Sequence, residues 1–195
     1  IGFAAILDTL DGRVARLIKG TSKVGKELDS LTDVISFGVA PGFIMYFWAL
    51  NEIGKFGWMF VLIYTVCCAL RLARFNLMTI EENETWKINY FEGVPSPAAA
   101  GLVLLPLILN LSGLFQFENY ALLSSITILT TSILMVSKIP TYSLKRILIP
   151  RHLAIFLLLG IGIYVSLLIF YTFETLFFTG SIYIFLIPIS YFHYK

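Results

Sequence analysis

DTLDGRVARLIKGTSKVGKELDSLTD, residues 8–33, places four aspartates in a chain that is otherwise strongly apolar. Asp8, Asp11, Gly12 and Ala15 are spaced i, i+3, i+4 and i+7, which is one face of one helix. Gly25, Asp29 and Asp33 follow at i, i+4 and i+8, again on one face, with Ser22 one turn earlier. Two helices joined by a short basic turn can thus present acidic stripes to each other. Unbalanced, such clustered carboxylates repel one another and resist ionisation. A divalent cation removes the conflict. Oxygen ligands without a neighbouring cysteine or histidine favour Mg²⁺, Mn²⁺ or Ca²⁺ over zinc. The spacing lacks the alternate-residue ligands and closing glutamate of an EF-hand, so that calcium loop is excluded.

The surroundings sharpen the reading. The chain is 58% hydrophobic and 13% charged, with a mean hydropathy of +0.85. Those values exclude an ordinary soluble domain and predict an all-α, polytopic transmembrane helical bundle. Apolar stretches long enough to cross about 30 Å of hydrocarbon fall at residues 1–18, 31–50, 57–75, 97–115, 119–137, 152–172 and 176–193. They predict seven visible helices in a single membrane-embedded domain spanning 1–195. The chain opens at Ile1 inside an apolar run, so a further helix is expected upstream. An aspartate within a bilayer helix costs about 2.5 to 3.5 kcal/mol on insertion scales, and such residues mark sites. The bland alternative, helix-end aspartates that merely anchor a bundle, fits one residue better than four.

Charge placement predicts orientation. Thirteen of the 14 Lys and Arg fall on alternate connections and the tail, leaving Lys55 alone on the opposite side. By the positive-inside rule the basic set faces the cytoplasm, and the aspartate-rich segment opens there. Arg16, Lys19 and Lys23 line its rim and suit a phosphate or headgroup. Gly12 and Ala15 leave room for a ligand to approach the backbone.

Other features are quieter. Cys67 and Cys68 are adjacent and mid-span, too close for an ordinary disulfide, and read as packing residues. His152 and His193 are isolated near helix ends and read as anchors. Pro95 and Pro97 shape the start of a helix, while Tyr90, Phe91 and Glu92 before them are candidates for a flap over the cavity. Arg71 and Arg74, three residues apart at the end of one helix, can both face that cavity and bind a carboxylate or phosphate. Headgroup anchoring is the competing reading for each. No glycine-rich phosphate loop, Ser/His/Asp order or nucleic-acid module is found in the sequence.

The pattern Asp8-x2-Asp11-Gly12-x2-Ala15-Arg16-x8-Gly25-x3-Asp29-x3-Asp33 resembles the signature of the CDP-alcohol phosphotransferase family at all eight defined positions across 26 residues. Three further stretches, CALRLARFN (68–76), FEGVPSPAAAG (91–101) and MVSKIPTYSLK (135–145), resemble the branch of that family whose acceptor is serine. The resemblance covers most of residues 2–145. It implies a metal-dependent transfer of the phosphatidyl group of CDP-diacylglycerol to L-serine, releasing CMP at the cytoplasmic face of the inner or plasma membrane. It further implies that Asp8, Asp11, Asp29 and Asp33 hold Mg²⁺ or Mn²⁺ and that Asp33 accepts the proton. By the same resemblance Gly12, Arg16 and Ser22 contact the CDP-lipid, and the protein is a homodimer among membrane lipids.

Two alternatives carry different chemistry. A transferase of the same superfamily can take glycerol 3-phosphate or inositol phosphate, for which Lys138, Lys145 and Arg146 offer charge. An ion transporter would place its carboxylates near mid-membrane, with a path to the outer face. Here the cluster straddles a basic turn instead.

Overall fold

The structure is a computed structural model, and it describes residues 1, 2, 4, 23–78, 90–142 and 151–194. Asp8, Asp11, Gly12, Arg16 and Ser22 lie outside the described residues, as do 79–89 and 143–150.

Helix α1 (Lys23–Asp33) runs through a π-helical turn, Val34–Val39, directly into α2 (Ala40–Trp48). A 3₁₀ turn at Leu50–Ile53 reverses the chain into α3 (Lys55–Met78). A three-residue strand β1 (Tyr90–Glu92) precedes α4 (Ser96–Val103) and α5 (Leu105–Ser112). Helix α6 (Tyr120–Val136) leads to β2 (Pro140–Tyr142), and α7 (Arg151–Phe170) and α8 (Thr172–Tyr194) complete the order. Among the described residues the regular structure is thus helical apart from one small ribbon. Three stretches, Glu27–Trp48, Lys55–Asn76 and Thr172–Ser190, are long and apolar enough to cross a membrane, and Tyr120–Val136 and Ile155–Phe170 are shorter apolar helices.

One expected span is interrupted in the middle. Residues 97–115 read as a single span, but the structure breaks them into two eight-residue helices, α4 and α5. Pro106, in the first turn of α5, has no N–H to donate and its ring collides with the carbonyl four residues back. At the start of α4 the sequence expectation and the structure agree, with Pro95 as the capping residue and Pro97 in the first turn.

Helix α3 is the hub. Val61, Tyr64, Cys68 and Leu72 form one buried stripe that packs with Met45, Ala99, Ile128 and Ile187 from α2, α4, α6 and α8. In lipid there is little hydrophobic force between helices, so close packing must hold them together. Gly38 and Gly42, four apart, supply that closeness. A Cβ on Gly38 would lie 3.1 Å from Cys68 Cβ, and one on Gly42 would lie 2.9 Å from Val61 Cγ1. Cys68 is fully buried in this contact, as its packing role predicts.

Helix ends are pinned on both sides. At one side Trp48 meets Tyr120 with ring centroids 5.3 Å apart. At the other, Arg74 Nη1 and Nη2 donate to the Val136 and Ser137 carbonyls at 2.9 and 3.2 Å. These accept where the C-terminus of α6 leaves carbonyls without helical partners. On the Arg74 side the β1–β2 ribbon pairs Tyr90 with Tyr142, Phe91 with Thr141 and Glu92 with Pro140. Residues 90–92, read from sequence as a flap, are therefore paired into this ribbon. Gly93 fastens the ribbon to α6. Its φ is +75°, its N–H donates to Ile139 O at 2.9 Å, and an added Cβ would lie 2.7 Å from Met135 O.

Helices α7 and α8 form a tight hairpin around Tyr171. Thr175 Oγ1 donates to Leu167 O at 3.2 Å, and the hydroxyls of Tyr164 and Thr179 are 3.2 Å apart. The α7 side chains from 155 onward are almost all exposed, as suits a helix bathed in lipid.

Candidate active site

Asp29 and Asp33 are one turn apart on α1, Asp29 exposed and Asp33 half-buried. Between them, Ser30 Oγ accepts from Asn76 Nδ2 at 2.8 Å, which ties the acidic helix to the end of α3. The same antiparallel register continues inward, through Gly38 against Cys68 and Gly42 against Val61.

The π-helical turn explains how the acidic stripe and the glycine contact share one side. Five residues separate Asp33 from Gly38. In an α-helix that step rotates by about 140°. In a π-helix, whose i to i+5 bonds make each turn wider, the same step overshoots one full turn by much less. Gly38 contacts α3, so Asp33 is brought toward α3 as well. There Asp33 lies within electrostatic range of Cys68 and Arg71. Tyr64 Oη donates to Phe37 O at 2.7 Å inside the turn, giving a displaced carbonyl a buried partner.

Arg71 is only 8% exposed and its Nη1 donates to Ser96 Oγ at 3.0 Å. Its Nε is buried and makes no hydrogen bond among the described residues. Tyr183 Oη on α8 is likewise buried without a partner, and Tyr183 lies within electrostatic range of Arg71. A buried donor left unpaired costs about 1–3 kcal/mol. Such groups in a packed bundle call for an explanation.

The two arginines singled out by sequence therefore differ. Arg71 is turned inward beside Asp33. Arg74 caps α6, a structural duty that spacing alone does not reveal. The sequence reading missed Ser96, Asn76 and Tyr183. The serine and asparagine lie inside the quoted stretches FEGVPSPAAAG and CALRLARFN, so a signal was present; for Tyr183, one of ten tyrosines, there was none.

Among the described residues no group of three or more His, Cys, Asp or Glu side chains comes together. The described half of the signature contributes two carboxylates, Asp29 and Asp33, in a donor set made of oxygen alone. Oxygen donors of this kind suit a hard divalent cation rather than a soft one.

Residues 1–139 match the family model described as CDP-alcohol phosphatidyltransferase. The chain belongs to that family of membrane enzymes. Among curated relatives, it is 39% identical over 155 residues to the CDP-diacylglycerol–serine O-phosphatidyltransferase of Mycobacterium leprae, covering 79% of this chain and 51% of the relative. It is 44% identical over 142 residues to the protein of that name from Helicobacter pylori strain 26695, covering 73% and 58%. With the Methanocaldococcus jannaschii protein of the same name it shares 37% over 147 residues, covering 74% and 64%. The chain spans roughly half to two thirds of the length of these relatives.

Proposed function

We propose that this chain is the membrane-embedded transferase domain that moves the phosphatidyl group of CDP-diacylglycerol onto the hydroxyl of L-serine, giving phosphatidylserine and CMP. The observation that carries the reading is the juxtaposition of half-buried Asp33 and inward-turned Arg71 in a member of this family. The names of its relatives support the choice of serine.

The serine hydroxyl attacks the phosphorus that bears diacylglycerol, and the bond from that phosphorus to the bridging oxygen breaks. CMP leaves with the bridging oxygen, while the hydroxyl proton passes to the Asp33 carboxylate. Asp8, Asp11, Asp29 and Asp33 would hold Mg²⁺ or Mn²⁺, which when bound neutralises the diphosphate and orients it for in-line displacement. Gly12, Arg16 and Ser22 bind the CDP-lipid. Asn76, through Ser30, keeps the Asp29–Asp33 turn against α3, and Arg71 draws the acceptor's carboxylate toward Asp33. The distribution of Lys and Arg supports a cytoplasmic site.

An acceptor screen tests the proposal. Purified protein in detergent is expected to release CMP from CDP-diacylglycerol with L-serine and not with glycerol 3-phosphate or inositol phosphate. Release with glycerol 3-phosphate but not serine would contradict the assignment of the acceptor.

A further inference from the structure

Acceptor choice is the property a shared metal and nucleotide signature does not set, so it must rest on residues elsewhere. Two buried polar atoms outside the signature lack a partner among the described residues, and Tyr183 packs against the core that holds Cys68 and Leu72, the latter next to Arg71 in the chain. Arg71 Nε comes from α3 and Tyr183 Oη from α8, and their side chains are within electrostatic range of each other. Arg71 is also within range of Asp33. Ser96 already occupies Nη1. We infer that Tyr183 and Arg71 together form the subsite for the acceptor's carboxylate, with Tyr183 as a specificity-determining residue supplied by the last helix. This rests on the proposed use of an amino-acid acceptor and extends it.

The charge of the subsite argues for a carboxylate. One guanidinium edge and one neutral phenol offer two N–H and O–H donors and a single positive charge, which suits a monoanion with two oxygens. A phosphate ester would call for more cationic groups, and the neighbouring Arg74 is engaged with the Val136 and Ser137 carbonyls. Position argues the same way. The proton acceptor must lie within hydrogen-bond reach of the acceptor's hydroxyl, so groups that share the surroundings of Asp33 meet the acceptor. Tyr183 lies beyond residues 1–139, the part that the family model matches, where a feature distinguishing one acceptor from another is free to differ.

The test uses Tyr183→Phe in the full chain, which removes the hydroxyl and keeps the ring. Steady-state CMP release is measured with L-serine and with serinol, which has the hydroxyl and amine but no carboxylate. The variant is expected to raise the KM for serine roughly tenfold, the effect of one lost hydrogen bond to a charged group. Its kcat and its KM for CDP-diacylglycerol are expected to stay unchanged. The preference for serine over serinol should fall by the same factor, a ratio that a merely structural role would not move. An unaltered serine KM and serinol ratio in a variant that folds would overturn the inference while leaving serine as the acceptor. If the variant fails to fold, Tyr183→Trp and Tyr183→His, which keep a ring with an N–H donor, decide instead: a wild-type serine-to-serinol ratio in either, with the other acceptor constants intact, supports the subsite, and loss of folding in all three assigns Tyr183 to packing and overturns it. Absence of serine-dependent CMP release from the unaltered protein would overturn both this inference and the proposed function.

Discussion

Replacing Asp33 by Asn is expected to lower CMP release by about 10²–10⁴-fold, the range that a positioned general base contributes, while CDP-diacylglycerol still binds. Asn keeps the shape of Asp and one oxygen but cannot take up a proton. The π-helical turn that follows brings residue 33 toward α3 and Arg71, so the position itself survives the substitution. Asp29→Asn provides the contrast. Asp29 is exposed one turn nearer the basic end of the helix, where the family resemblance makes it a cation ligand without the proton-accepting role of Asp33, so its loss should raise the cation concentration needed while lowering turnover at saturating cation far less than Asp33→Asn does. Near-normal turnover in Asp33→Asn would refute its assignment as the proton acceptor.

The largest effect on folding is expected at Gly57. A Cβ built there would run into the Leu50 carbonyl oxygen and sit 2.8 Å from its carbon. Those are backbone atoms of the 3₁₀ turn that joins α2 to α3, and no rotamer change can move them aside. Gly57→Ala should therefore destabilise by at least the roughly 1–3 kcal/mol typical of overpacking. The measurement is the midpoint of thermal unfolding in detergent, together with the yield of monodisperse protein. Gly101→Ala is the control, because nothing lies within 4 Å of a Cβ there. It is expected to leave the midpoint unchanged or raise it slightly, since alanine is the better helix residue. Equal behaviour of the two variants would contradict the packing described for the α2–α3 turn.

Much of this architecture could be read from residue patterns because membrane insertion imposes a simple rule. Each crossing must be helical and apolar, and the stretches 31–50, 57–75, 119–137, 152–172 and 176–193 all correspond to helices. The rule fails where backbone geometry departs from the regular α-helix. Pro106 splits one expected crossing, and hydropathy averages hide it. The turn at Val34–Val39 is equally invisible to a window that counts apolar residues, yet it determines which way Asp33 faces. The small ribbon depends on a left-handed glycine at 93 and on carbonyls at the end of α6, which are contacts across the chain rather than along it.

The site divides in the same way. Asp29 and Asp33 stood out because charge in an apolar helix is conspicuous, and Arg71 because it lies so near. Whether an arginine turns inward is a different matter. Arg71 and Arg74 are near-identical in sequence terms, but one is buried against Ser96 and the other caps α6. Tyr183 resembles every other aromatic residue of a lipid-facing helix until its hydroxyl is found buried and without a partner among the described residues. Partnership across the bundle decides these roles, and a linear pattern does not encode it.

The most direct measurement of the central claim is serine-dependent CMP release by purified protein depleted of divalent ions with a chelator and then titrated with Mg²⁺ or Mn²⁺. The account predicts that activity is lost on depletion and restored by either ion. It also predicts that alanine at Asp8, Asp11 or Asp29 shifts the restoring concentration upward. Product formation that continues undiminished in the chelator would contradict it.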